Sequence, residues 1–286
     1  MSEWNLSVMT AEELELALDW AAAEGWNPGL HDARVFHATD PDGFLLGRRN
    51  GEAVALVSAV RYGDAFGFLG FYIVAPGRRN RGYGGRVALA AMEHLRGCRC
   101  IGLDGVEAQQ ANYARHGFRW VHPNFRYQGR GPDPAAPPLP AGQKLCAWHE
   151  VEPAALRAYD RRHFPADRGD YVSRWCSSPG VRAWAAVSAE GIQGFGVLRP
   201  CREGFKVGPL FAANPATAAG LLGELRRDLD PNSCFVLDVP GNNPDALALA
   251  ENLGMVRVFT TARMYQGTPP VLPDREIFGI TSFELG

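Results

Sequence analysis

The stretch Tyr72-Ile-Val-Ala-Pro-Gly-Arg-Arg-Asn-Arg-Gly-Tyr-Gly-Gly-Arg86 ends an apolar run and leads into a helical pattern. Glycines at this density let the backbone turn tightly, so that successive N–H groups point outward, and a helix that starts here adds the positive end of its dipole. Arg79, Arg81 and Arg86 place fixed positive charge beside those groups. The stretch therefore predicts an α/β fold in which a strand-to-helix loop cradles a pyrophosphate.

This loop differs from two common phosphate-binding loops. It lacks the Gly-Lys-Ser/Thr of a Walker loop, and Val87 stands where a dinucleotide fingerprint needs its third glycine. The string Arg79-x-x-Gly82-x-Gly84 instead resembles the acyl-CoA signature of the GCN5-related N-acetyltransferase (GNAT) superfamily; a glycine-rich solvent turn with incidental arginines is the alternative. The resemblance implies acetyl-CoA as co-substrate and a cofactor site made of Ile73, Val74, Arg79, Asn80, Arg81, Gly82, Tyr83, Gly84, Gly85, Arg86 and Asn112.

A second motif lies downstream at Tyr113-Ala-Arg-His-Gly-Phe118, which resembles the Y-x-x-x-G-F of the same superfamily. The resemblance implies that Tyr113 is the general acid that protonates the departing coenzyme A thiolate. It also implies that the N–H of Val74 stabilises the oxyanion, since backbone groups at the end of the fourth strand have this role in the family. One departure is Val106, seven residues before the tyrosine, where the family often has asparagine. Packing of an aromatic ring near a helix end is the alternative for Tyr113.

The run from Gly129 to Gly142 divides the chain, because its prolines and glycines favour neither a helix nor a central strand. We predict an α/β (α+β) fold of two tandem GNAT-like domains, residues 1–128 and 144–286, joined by a Pro-rich linker at 129–143. Each domain is expected to be a mixed, mostly antiparallel sheet flanked by helices. Thr10-x-x-Glu13 predicts a capping box at the first helix. Strands are predicted at Trp4–Val8, Phe44–Arg48, Ala53–Arg61 and Phe66–Val74.

The second half repeats the first at an offset of about 137 residues, with Gly254-Met255 on Gly117-Phe118. At this offset Arg79 falls on Ala216 and Tyr113 on Ala250, so the second copy has lost its chemistry. We expect it to shape the acceptor pocket of the first domain much as a dimer partner would, which would let the chain work as a monomer. Two unrelated α/β domains are the alternative. Asp238 is predicted either to face that pocket or to be a turn residue before Pro240-Gly241.

The segment Glu24-Gly-Trp-Asn-Pro-Gly-Leu-His-Asp32 lies where GNAT enzymes place acceptor-binding loops, and a tandem bacterial GNAT subfamily carries a similar E-G-W-N-P-G. An indole and carboxylates can hold a cation. We therefore predict acceptor binding by Glu24, Trp26, Asn27 and Asp32, with simple packing and turn formation as the alternative. The fourth strand offers no glutamate, so the general base is not identified by motif.

Composition and charge exclude several classes of protein. The chain of 286 residues has 46% hydrophobic and 21% charged residues, which excludes whole-chain disorder, and a net charge of −2 gives no field for a nucleic acid or an anionic membrane. No apolar run reaches the ~20 residues of a membrane span, and the start lacks a signal-peptide pattern. Six cysteines without zinc-site spacing predict free thiols in a reducing cytoplasm and no metal.

We therefore predict an acetyl-CoA-dependent N-acetyltransferase that acts on a primary amine of a small molecule by direct transfer in a ternary complex. A non-catalytic acyl-CoA-binding sensor or scaffold is the alternative from another class, and intact Tyr113 argues against it. A protein lysine acetyltransferase is the third possibility.

Overall fold

The computed structural model describes residues 3–132 and 136–286, so residues 133–135 of the predicted linker lie outside the described part. The first half alternates strands and helices, in the order β1 (Trp4–Val8), α1 (Leu14–Ala23), α2 (Asp32–Thr39), β2 (Phe44–Arg49), β3 (Glu52–Tyr62), β4 (Phe66–Val74), α3 (Tyr83–His94), β5 (Cys100–Val106), α4 (Glu107–Arg115) and β6 (Arg119–Arg130). The second half has β7 (Lys144–Ala147), α5 (Pro153–His163), α6 (Gly169–Cys176), β8 (Arg182–Ser188), β9 (Gly191–Pro200), β10 (Phe205–Ala212), α7 (Pro215–Arg226), β11 (Cys234–Pro240), α8 (Pro244–Asn252), β12 (Val256–Gly267) and β13 (Ile277–Gly279). The predicted mixed α/β class is confirmed.

The first helix begins at the predicted capping box. Thr10 donates its backbone N–H to Glu13 Oε2 at 3.0 Å, and Glu13 donates its N–H to Thr10 Oγ1 at 3.2 Å. These reciprocal bonds satisfy two groups that the helix leaves without partners inside it. No helix in the described part of the chain is long and apolar enough to cross a membrane.

The two halves exchange their last long strands. Within the described residues, one 13-stranded sheet runs β1-β2-β3-β4-β5-β12-β6-β11-β10-β9-β8-β7, with β13 beside β10. The second half's β12 therefore pairs with β5 of the first half, and β6 pairs with β11. The predicted boundary at residue 128 falls inside β6. Gly129 and Arg130, predicted as linker, extend this strand opposite Phe235 and Cys234.

A split between two parallel strands shapes the first half. Strand β4 pairs with β5 only from Gly67 to Leu69. Just beyond this point, Phe71 has a left-handed φ of 44°, and the register with β3 shifts between Leu56 and Ser58. Such a bulge bends a strand. The rest of β4 therefore leaves β5 and presents an unpaired backbone edge.

The second half contains the same split, but the chain fills it. Strand β10 pairs with β11 from Phe205 to Val207, and beyond this point β13 pairs with β10. Ile280 then donates its N–H to the carbonyl of Asp238 in β11 at 2.9 Å. The chain itself thus occupies the gap that stays open between β4 and β5.

The repeat offset holds for part of the fold only. Shifting α4 and β6 by 137 residues gives the bounds of α8 and β12, whereas α7 begins 132 residues after α3. Only Ala213 and Asn214 join β10 to α7, and the Asn214 side chain caps the helix by accepting the N–H of Thr217. The residue-by-residue match of Arg79 to Ala216 is therefore wrong. The second half lacks the loop itself, not merely its arginines.

Candidate active site

An outer groove of about 680 Å³ opens at the split between β4 and β5. The end of β4, the glycine-rich loop (residues 75–82), the start of α3 and one side of α4 form its walls. The predicted cofactor residues that line the groove are Ile73, Val74, Arg79, Asn80, Gly82, Tyr83, Gly84, Gly85 and Asn112. The structure thus brings together nine of the predicted positions on one surface.

Backbone geometry in the glycine-rich loop favours glycine at two positions. Gly82, at the N-terminus of α3, has a left-handed φ of 81°, which a β-branched residue adopts only with strain. A Cβ on Gly84 would lie 2.4 Å from the Tyr72 hydroxyl. Gly84 therefore keeps α3 close to β4, and the first turn of the helix faces the groove.

The open edge of β4 exposes the backbone of Val74. Ala75 donates its N–H to the Val54 carbonyl at 3.0 Å. Because backbone bonds alternate along an antiparallel pair, Val74 directs its N–H and carbonyl away from β3. Its carbonyl accepts a bond from Arg79 Nε at 3.2 Å. The Val74 N–H is thus placed to donate to a ligand in the groove.

Two predicted cofactor residues do not line the groove, and the side chain of a third has other partners. Arg81 and Arg86 are exposed and do not line the groove, and the Arg86 guanidinium lies 5.1 Å from the Trp4 ring centroid. The Tyr83 ring stacks on Trp4, and its hydroxyl accepts a bond from Arg49 Nη1 at 2.7 Å. The Tyr83 side chain therefore anchors α3. A ligand in the groove would contact the Tyr83 backbone instead.

Sequence reasoning missed three polar groove residues. Arg78 lies beside the predicted Arg79, and Gln109 and Arg115 lie on α4. Gln109, Asn112 and Arg115 recur every three residues, which places them on one side of the helix. This spacing was the signal that could have identified Gln109 and Arg115 as groove residues.

Glu24, predicted to bind the acceptor, lies instead on the groove and forms an ion pair with Arg79. The Arg79 side chain is about half exposed. Glu24 thus holds one of the loop arginines across the groove mouth, where an anionic ligand would compete for it.

Tyr113 lies deeper, with its ring fixed from three sides. A Cβ on Gly105 would be 2.9 Å from two ring carbons, and the Tyr72 and Phe118 rings meet it edge-on at 6.3 and 6.2 Å between centroids. Burial raises the pKa of the Tyr113 hydroxyl, and the nearby Tyr72 raises it further. The hydroxyl therefore remains protonated at neutral pH.

Tyr113 also lines a smaller inner cavity of about 50 Å³. Four residues line both spaces: Trp26, Tyr72, Val106 and Gln109. The second half supplies part of the inner wall, namely Phe259, Thr261, Phe283 and Glu284. No motif marks these four in the sequence, because the strand exchange and the C-terminal segment bring them to the site.

Of the other predicted acceptor residues, only Trp26 reaches the inner cavity. The Asn27 side chain donates to the Glu203 carbonyl at 2.8 Å and accepts the Glu203 N–H at 2.9 Å. Asp32 is 2% exposed and accepts two bonds from Arg199, at 3.0 and 3.3 Å. Asn27 and Asp32 therefore join the two halves and do not face either space.

The structure corrects both readings of Asp238, which is neither a turn residue nor a wall of the cavity. It lies inside β11 and accepts Arg126 Nε at 2.7 Å and Nη2 at 2.8 Å. Burial alone would raise the pKa of Asp238, but the charge and hydrogen bonds of Arg126, together with the charges of Lys206 and Arg199, outweigh burial and lower it. Arg126 Nη1 also donates to the Trp26 carbonyl at 2.7 Å. This buried pair therefore positions the Trp26 segment.

The described residues contain no group of three or more His, Cys, Asp or Glu side chains able to hold a metal ion, and all six cysteines are free.

Comparison with known proteins identifies the family. Residues 11–118 match the family model described as "Acetyltransferase (GNAT) family", and residues 156–279 match "Acetyltransferase (GNAT) domain". Holothin acyltransferase of Pseudoalteromonas sp. (strain SANK 73390) is 31% identical over 283 residues, which cover 99% of this chain and 95% of that protein. The chain belongs to the GNAT acetyltransferase family.

This tandem GNAT chain also has the fold of solved structures. A putative acetyltransferase from Pyrococcus horikoshii has a TM-score of 0.80 at 20% identity, with 99% of this chain and 96% of that chain covered. A tandem GNAT protein from the clavulanic acid biosynthesis pathway has a TM-score of 0.64 at 17% identity, with 94% and 100% covered. The GNAT match of the second half excludes two unrelated domains, and the chain is an N-acetyltransferase enzyme of the tandem GNAT kind.

Proposed function

We propose that the enzyme transfers an acetyl group from acetyl-CoA to the primary amine of a small molecule, directly, with both substrates bound. One observation carries the proposal: the outer groove and the inner cavity share Trp26, Tyr72, Val106 and Gln109 as a common wall. A thioester that reaches this wall from the groove would meet an amine that enters from the cavity. Bound acetyl-CoA would supply the activated acetyl group.

The residues of the groove fit this co-substrate. The unpaired edge of β4 offers backbone N–H and carbonyl groups to the amides of a pantetheine arm, as a strand would. The glycine-rich loop and the start of α3 offer N–H groups and Arg79 to a pyrophosphate. The Val74 N–H would donate to the thioester carbonyl oxygen, where negative charge develops.

Tyr113 is the proton donor of this proposal. Its ring lies against the common wall, and its raised pKa keeps the proton on the hydroxyl at neutral pH. A coenzyme A sulfur that leaves into this half-buried place would take the proton as the C–S bond breaks. The same enclosure that raises the pKa of the tyrosine also disfavours a free thiolate.

The test is Tyr113→Phe, which keeps the ring packed on Gly105, Tyr72 and Phe118. We expect acetyl-CoA affinity by calorimetry to change less than about twofold, and kcat to fall at least about 10²-fold, or ~3 kcal/mol of barrier. Tyr171→Phe is the matched control, because it removes a buried tyrosine hydroxyl that lies in α6 and has no hydrogen-bond partner among the described residues.

The pH profile separates an acid from a packing residue. An acid works below its pKa and fails above it, so a tyrosine with a raised pKa gives an alkaline fall only above pH ~10. Tyr113→Phe should remove this fall. If the variant kept both the wild-type rate and the same alkaline limb, Tyr113 would be a packing residue.

An amine panel with thiol-release detection tests the acceptor class. The name of the 31% identical relative gives holothin as an acyl acceptor, so holothin belongs in the panel beside simple amines and a lysine peptide. Binding of acetyl-CoA with no thiol release would favour the sensor alternative. Because β6 and β12 are exchanged within one chain, we also propose a monomer, which sedimentation equilibrium would test.

A further inference from the structure

Glu284 is a buried carboxylate without a partner in the wall of the inner cavity. The residue is 2% exposed, and neither Oε1 nor Oε2 has a hydrogen-bond partner within the described chain. Thr261 lies on the same wall, and its buried hydroxyl also has no hydrogen-bond partner among the described residues. A buried polar group without a partner destabilises a fold, and a charged one does so more strongly. Such a group at a cavity is therefore a candidate ligand contact.

The C-terminal segment holds Glu284 in place. Its carbonyl lies so close to Gly70 in β4 that a Cβ there would be 2.2 Å from the oxygen. Tyr62 donates its hydroxyl to the Leu285 carbonyl at 3.0 Å, and Leu285 donates its N–H to Ser282 Oγ at 3.0 Å. The backbone around Glu284 is thus held beside the bulge of β4, and its side chain lines the inner cavity near the split where the thioester would lie.

Three buried cations act on Glu284 through space: Arg126, Arg199 and Lys206. Arg126 is paired with Asp238 and Arg199 with Asp32, but Lys206 has no carboxylate within ion-pair distance among the described residues. Lys206 Nζ contacts the Trp26 carbonyl at 3.5 Å. Long-range attraction between Lys206 and Glu284 is therefore the alternative to ligand binding as the reason for a buried carboxylate at this position.

Aromatic rings form much of the remaining wall, and its other carboxylate, Asp104, is paired with Arg263. Phe259 and Phe283 lie 6.3 Å apart between centroids, and the Arg126 guanidinium lies 4.8 Å from the Phe283 centroid. Trp26 closes the side toward the outer groove. Apolar walls with a single free carboxylate suit a cationic head on a compact, ring-like apolar body.

We propose that Glu284 binds the ammonium group of the acceptor and takes its proton, and that the acceptor is a primary amine carried on a compact apolar ring. This inference rests on the proposed function. One N–H bond breaks as the Glu284 O–H forms, and the neutral nitrogen then bonds to the acetyl carbon as the C–S bond breaks. The coenzyme A sulfur takes the proton of the Tyr113 hydroxyl. The nitrogen then gives its second proton to the Tyr113 oxygen, which restores the hydroxyl. Glu284 returns its proton to water after product release.

The first experiment measures amine binding without turnover. Benzylamine and phenethylamine are titrated by calorimetry into wild type and Glu284→Gln, with and without saturating coenzyme A, and benzyl alcohol is the neutral isostere. We expect wild type to bind at least one amine at least 10-fold more tightly than the alcohol, and Glu284→Gln to lose this preference. If wild type binds neither amine, or if Glu284→Gln keeps the preference, the inference is overturned.

Acetyl-CoA titrations separate the two proposals. Its affinity should be the same within twofold in wild type, in Glu284→Gln and in the control Glu276→Gln, which changes a carboxylate that bonds to His163 and Arg162 outside the cavity. Glu276→Gln should also keep wild-type amine binding. Failure of wild type to bind acetyl-CoA would overturn the proposed function, while the amine result would still decide the role of Glu284.

Two further variants address a purely structural role. If Glu284 only balances Lys206, the double variant Lys206→Met/Glu284→Gln should regain amine preference and kcat/KM, and that result would overturn the inference. We expect no recovery. If Glu284→Gln does not fold, Glu284→Asp keeps the charge but shortens the side chain, and kcat/KM for the amine should fall at least 10-fold; an unchanged value would overturn the inference.

Discussion

Asp238→Asn tests the buried ion pair that links the two halves behind the active site. The substitution keeps the shape of the side chain but leaves the Arg126 guanidinium, which is 4% exposed, without its charged partner. Breaking a buried pair of this kind destabilises a protein by about 3–5 kcal/mol. Typical domains have a stability of about 5–15 kcal/mol, so the expected loss is a large fraction of the total.

Urea unfolding monitored by circular dichroism measures this loss, with Asp64→Asn as the control. Asp64 pairs with Arg61 on the surface with 88% of its side chain exposed, and the loss there should be at most about 1 kcal/mol. Because Arg126 also holds the Trp26 carbonyl, Asp238→Asn should raise KM for the amine as well. A loss below about 1 kcal/mol for Asp238→Asn would refute the view that this pair joins the halves.

The sign of the pH dependence follows from the lowered pKa of Asp238. A carboxylate with a depressed folded-state pKa stabilises the fold fully above its unfolded value of about 3.9, and the contribution disappears as the pH falls through the folded-state pKa. The difference in stability between wild type and Asp238→Asn should therefore be constant from pH 7 to about 5 and shrink below pH ~4. A difference that grew on acidification would contradict this sign.

Three other predictions concern the groove, the second half and the position of the Tyr113 ring. Gly82→Val should weaken acetyl-CoA binding by at least about tenfold in a folded protein, because the left-handed φ of 81° strains a β-branched residue; unchanged affinity in calorimetry would contradict the loop assignment. One acetyl-CoA should bind per chain, since β13 fills the second split and only two residues join β10 to α7; a measured stoichiometry of two would be inconsistent with this. Gly105→Ala should displace the Tyr113 ring and lower kcat about tenfold or more with little change in acetyl-CoA affinity, and a wild-type kcat would show that the ring does not need this position.

Local sequence patterns predicted most elements of the first half and nine of the residues that line the outer groove. The predicted bounds of β1 and β4 coincide with the structure, because apolar runs between turn residues determine them. One strand-loop-helix unit carries the glycine-rich loop, and the next unit, β5 and α4, carries Tyr113. Their roles as cofactor and catalytic residues remain predictions.

Local sequence patterns did not predict which strands of the two halves pair with each other. The run Gly129–Arg130 and the residue Asp238 have turn-like neighbours, yet both lie in strands because β6 and β11 pair with each other. Nothing in the pattern of β6 states that it leaves β5 and joins the second half. The same exchange brings Phe259 and Thr261 to the inner cavity, and the C-terminal segment brings Glu284, so the acceptor side depended on tertiary structure.

The exchange of β6 and β12 also has a consequence for synthesis on the ribosome. Strand β5 ends at Val106, and its partner β12 begins only at Val256, about 150 residues later. At about 5–20 residues per second, translation of this interval takes roughly 8–30 s. Throughout that time one edge of β5 has no strand beside it, and such an edge can pair with other chains. The first half, although made first, can therefore complete its sheet only when the second half is almost fully translated.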